Sequence, residues 1–95
     1  MDAKIRRPRG IDVADRKAAS AGQAGARAYH RWRMQPTRQR LWVAWRMAFH
    51  AVEALELAEA FDNQIGDSRS AMLARADRTD IREIELKLGK AYRGN

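Results

Sequence analysis

The chain has no cysteine among its 95 residues. That excludes a disulfide framework and any zinc site built on thiolates. Small secreted domains lean on such staples, so a reducing cytoplasm is the expected compartment. Long apolar runs are missing too: nothing approaches the roughly 18 residues that a membrane span requires. The opening MDAKIRRPRG is basic but has no apolar h-region, so it does not read as a signal peptide. No segment alternates apolar and polar residues as a half-buried strand does.

Catalytic signatures are equally scarce. There is no glycine-rich phosphate loop, and Ser20, Ser68 and Ser70 have no evident base. The run from Asp62 to Asp67 lacks the ligand spacing and closing Glu of a calcium loop. His30 and His50 are too few for structural zinc, which takes four good ligands. Glu53, Glu56, Glu59 and Asp62 make a carboxylate row, but di-metal bundles draw Glu-x-x-His motifs from several helices. That row reads as a solvated acidic face, also suited to basic residues of a partner or of a second copy. No enzyme activity, metal or cofactor is expected.

What the chain does have is positive charge, unevenly placed. It carries 19 basic and 12 acidic side chains, a net charge of +7. Residues 1–52 hold 12 basic and 3 acidic side chains, and residues 53–95 hold 7 and 9. A basic half suggests a face for a polyanion. Arginine outnumbers lysine 15 to 4. That suits bidentate phosphate contacts, although a GC-rich genome produces the same excess.

The densest stretch runs from Arg27 to Val52 and contains no acidic residue. It holds Trp32, Trp42, Trp45, Tyr29 and six arginines. Arginines interleaved with rings pair with phosphates and stack on bases. The candidate contacts are Arg27, Tyr29, Arg31, Trp32, Arg33, Arg38, Arg40, Trp42 and Arg46. Trp32 and Tyr29, near a helix end, are the stacking candidates. Trp45 and Phe49 lie on a helical stripe and are expected in the core. Lys4, Arg6, Arg7 and Arg9 would form a flexible basic arm over residues 1–10.

Residues 11–95 read as a single all-α domain. Asp12 is a plausible N-cap for a helix from about Val13 to Arg33. Its stripe is Ala14, Ala18, Ala21, Gly25, Ala28 and Trp32, and Gly22 is a weak point at which the helix can break. Pro36 marks the turn. A second helix over about 37–65 is apolar on two faces, so it should be the central element. One face carries Trp42, Trp45, Phe49 and Val52; the other carries Val43, Met47, Ala51, Ala54, Ala58, Phe61 and Ile65. Its charges run basic to acidic, against the macrodipole; partner choice is one explanation. Gly66 should follow it as a left-handed cap. A third helix over about 70–92 has the stripe Leu73, Ala76, Ile81, Ile84, Leu88 and Ala91/Tyr92; capping-box spacing at Asp80-Ile81-Arg82-Glu83 leaves open whether it is one piece or restarts there. The three form a bundle, or a helical hairpin plus a third helix.

One stretch resembles a known family. The small-residue run Ala21-Gly22-Gln23-Ala24-Gly25-Ala26-Arg27-Ala28, then Pro36, then Arg38-Gln39-Arg40, then Trp45-Arg46-Met47-Ala48 is similar to ribosome modulation factor and its small basic relatives. The resemblance covers residues 18–48. Thr37 stands where the family has an aromatic, the interval from Pro to Trp is shorter, and short members lack the third helix. The resemblance implies a short helical protein that binds the ribosome through basic residues against rRNA.

The functional expectation is therefore a small non-enzymatic bacterial or phage protein associated with nucleic acid or the ribosome, with RNA favoured over DNA. The alternative is an adaptor or inhibitor, homodimeric in one version, whose arginines meet an acidic protein surface.

Overall fold

The computed structural model describes residues 9–94, and all three elements in that span are α-helices. Helix α1 is Arg9–Met34, α2 is Arg38–Gln64 and α3 is Ser68–Tyr92. They run antiparallel in sequence order, forming a rod of 53 × 20 × 19 Å. Among the described residues no helix is long and apolar enough to cross a membrane.

Helix α1 starts four residues before the expected Val13. Ile11 is buried and anchors the extra turn, and Asp12 sits in the first turn, where the dipole favours an acid. Arg9 and Gly10 therefore belong to the helix and not to an arm. Lys4, Arg6 and Arg7 lie outside the described residues. The helix also continues unbroken through Gly22 and Gly25. Packing against Ile81 of α3 and the backbone at Ala48 of α2 overrides their poor helix propensity.

The turns follow local chemistry. Thr37 caps α2, its hydroxyl accepting from the Arg40 amide at 3.1 Å. At the far end Gly66 has φ +76°, the left-handed conformation that only glycine adopts freely. Asp67 caps α3, accepting from the Ser70 amide at 3.1 Å and the Ser70 hydroxyl at 2.9 Å. Helix α3 does not restart at Asp80; the Thr79 hydroxyl is satisfied within the helix by the Arg75 carbonyl at 2.9 Å.

Helix α2 is the central element, packed against both neighbours, while α1 and α3 scarcely touch. Its buried stripe is Leu41, Ala44, Ala48, Ala51, Val52, Leu55, Ala58 and Asp62. This single broad stripe replaces the two faces expected. Alanine at the seam lets the helices approach closely, and the larger rings are displaced to its margins. Trp45 is half-buried, but Phe49 is 37% exposed and does not join the core.

The α3 stripe also differs. Leu73 is 61% exposed and Ala76 faces solvent. The buried face runs through Ala71, Ala74, Glu85, Leu88 and Gly89, with Arg78 and Ile81 half-buried. Charged residues occupy seam positions there, so the buried positions do not form an apolar heptad. Arg78 reaches Glu59 of α2 at 3.0 Å, and Glu85 accepts from Arg82 at 3.3 Å.

Candidate nucleic-acid interface

The antiparallel arrangement brings the end of α1, the start of α2 and the end of α3 to one pole. Its interior is aromatic: Tyr29, Trp32, Val43, Trp45, Ile84 and Tyr92 pack around Leu41, Ala44, Ala48 and Leu88. Trp45 and Tyr92 rings stand 5.3 Å apart, and Tyr29 and Trp32 rings 6.0 Å apart. Gly89 leaves room beside the first pair: a Cβ there would lie 3.0 Å from the Trp45 indole nitrogen, so the ring would have to shift by a few tenths of an ångström.

The surface of this pole is cationic. Arg31 and Arg33 sit in the last turn of α1, and Arg38 and Arg40 in the first turn of α2. All four guanidinium groups are exposed, as is Arg27 further back on α1. The bases closing α1 complement its negative dipole end, so they have a local reason as well. Arg38 and Arg40 oppose the dipole of their own helix, and the structure supplies an intramolecular reason. Arg38 Nη1 donates to the Tyr92 carbonyl at 3.2 Å and stacks over the Tyr92 ring at 4.1 Å. Arg40 Nη1 donates to the Arg31 carbonyl at 3.4 Å. Arg38 thus serves the last turn of α3, where carbonyls lack helical partners, while Arg40 adds a second donor to a carbonyl that already accepts from the Gln35 amide at 3.0 Å. A guanidinium has five N–H donors, so both retain donors facing outward.

Not every sequence candidate joins the pole. Tyr29 and Trp32 are half-buried in the aromatic interior, and Arg33 lies over the Tyr29 ring at 5.8 Å. They brace the pole more than they offer a free platform. Trp42 is 46% exposed, the most open of the three tryptophans. It belongs with Arg46 and Phe49 to the outward stripe of α2. Arg46 lies over Phe49 at 5.7 Å, and Glu53 meets His50 at 3.5 Å.

The structure adds cations that are not among the sequence candidates. Lys87 and Lys90 of α3, and Arg93 just after it, are exposed at the same pole, and residues 86–95 contain no acid. The signal was present as an acid-free C-terminal stretch. Only the antiparallel topology shows that it meets the acid-free stretch of 27–52.

Between α1 and α2 the pole carries an open groove. Its floor is Ala28 and Val43, and Arg31, Thr37, Gln39 and Arg40 line it. A second depression beside Ala26, Arg27 and His30 shares Arg31 with it. An apolar floor beside cationic walls is chemically suited to a flat ring carrying anionic groups. Among the described residues no three His, Asp or Glu side chains gather as a metal site.

Comparison with family models, curated proteins and solved structures matches the chain to none of them.

Proposed function

We propose that this chain is a small non-enzymatic protein that binds the phosphate backbone of nucleic acid through its aromatic-cored pole. One observation carries the reading: cations from all three helices converge where residues 27–52 and 86–95 supply no acid. Among the described residues none of Arg27, Arg31, Arg33, Lys87, Lys90 and Arg93 forms an ion pair. Such a pole attracts a polyanion and releases its counterions. RNA is the preferred class and the ribosome the preferred setting, as the resemblance of residues 18–48 to ribosome modulation factor implies. A cytoplasmic location goes with that reading.

The test is a titration with labelled single- and double-stranded RNA and DNA at about 50 and 200 mM salt. Binding of about 1 µM or tighter at low salt, with a steep salt slope, is expected. Replacing Arg27, Arg31, Arg33 and Lys90 with Ala should lower the slope by about one for each phosphate left without its cation. Absence of binding to all four polymers at low salt refutes the proposal. Cosedimentation with ribosomes then distinguishes a ribosomal target from free RNA.

A further inference from the structure

We infer that two copies of this chain pair antiparallel through the outward face of α2, about a two-fold axis between Phe49 and His50. This is independent of the polyanion reading. Trp42, Arg46, Phe49, Glu53 and Leu57 recur at helical spacing on the side of α2 turned away from both neighbours. Trp42 is 46%, Phe49 37% and Leu57 51% exposed. Large apolar side chains gathered on one face of a small protein mark an interaction surface.

The charges on this stripe identify the occupant. Arg46 precedes Phe49, and Glu53 follows at the same distance on the other side of the axis. Two-fold pairing therefore sets Arg46 against the partner's Glu53, twice. The same axis sets Trp42 against the partner's Leu57, again twice. A parallel pair would oppose Arg46 to Arg46 and Glu53 to Glu53, which like-charge repulsion disfavours. A polyanion laid along the face would meet Glu53 and Glu56, and an acidic protein would meet the same carboxylates. A second copy satisfies both halves. An isologous contact of this kind closes at two chains and does not propagate.

Sedimentation equilibrium tests the pairing. The wild-type protein should convert from monomer to dimer as concentration rises toward about 1 mM. R46E makes the face doubly acidic and E53R makes it doubly basic. Each should weaken association at least about tenfold, with helix content by circular dichroism unchanged because both positions are exposed. An equimolar mixture of R46E and E53R should dimerise again, as should the double variant R46E/E53R. The chain has no cysteine, so His50→Cys, beside the axis, should form a disulfide-linked dimer on oxidation. A wild-type monomer up to about 1 mM, or a mixture that stays monomeric, overturns the proposal.

Discussion

The two ends of the rod solve the same packing problem with different materials. At the basic pole Tyr29, Trp32, Trp45 and Tyr92 surround a fully buried Leu88. At the opposite end Ala18, Ala58 and Ala74 pack around Leu55, and Asp62 is only 1% exposed. Surface charge follows the same division. The aromatic end presents one sign, whose self-repulsion must be offset by burial and by cation–π contacts such as Arg38 over Tyr92. The alanine end mixes both signs and stabilises them in pairs, such as Arg78 with Glu59. A cluster of like charges thus sits on the part of the core best able to tolerate it.

Breaking that division should cost most at Leu88. Leu88→Ala should remove about 2–5 kcal/mol in urea unfolding, and more than Leu55→Ala, whose alanine surroundings collapse more readily. Equal losses would mean that the two cores are equivalent. Next comes Glu59→Ala, at about 1–3 kcal/mol, because it leaves a half-buried Arg78 without its carboxylate. The paired replacement E59L/R78M should be close to neutral, which would show that the pair corrects its own burial. Thr37→Ala removes the α2 cap at the basic end and Asp67→Ala the α3 cap at the other, each costing about 1 kcal/mol. The smallest effect is that of salt. Going from about 50 to 200 mM should raise stability slightly by screening the pole, while weakening polyanion binding by orders of magnitude. A loss of stability over that range would remove self-repulsion from the comparison.

The helices and their order were legible because the turns carry unambiguous chemistry. Pro36 with Thr37, and Gly66 with Asp67, end one helix and begin the next. The centrality of α2 was legible from its breadth of apolar positions. The buried positions were misread for one reason: the seams use alanine and charge where a reader looks for large apolar residues. Phe49 and Leu73 therefore fell on expected apolar stripes and are exposed, while Arg78 and Glu85, outside the expected stripe, sit in the seam. The candidate site was half legible. Arg27 to Arg40 stood out as an acid-free block. Lys87, Lys90 and Arg93 needed the third dimension, as did the hydrogen bonds that Arg38 and Arg40 make to the last turns of neighbouring helices.

That α1 and α3 scarcely touch has a consequence in time. Nearly every tertiary contact joins helices adjacent in the chain, so few long loops must close before packing begins. Helical folds of such low contact order assemble in roughly microseconds to milliseconds. The α1–α2 hairpin can form the groove lined by Arg31 and Arg40 while α3 is still being synthesised. Docking of α3 then completes the pole with Lys87, Lys90 and Arg93, and with the aromatic pair of Trp45 and Tyr92.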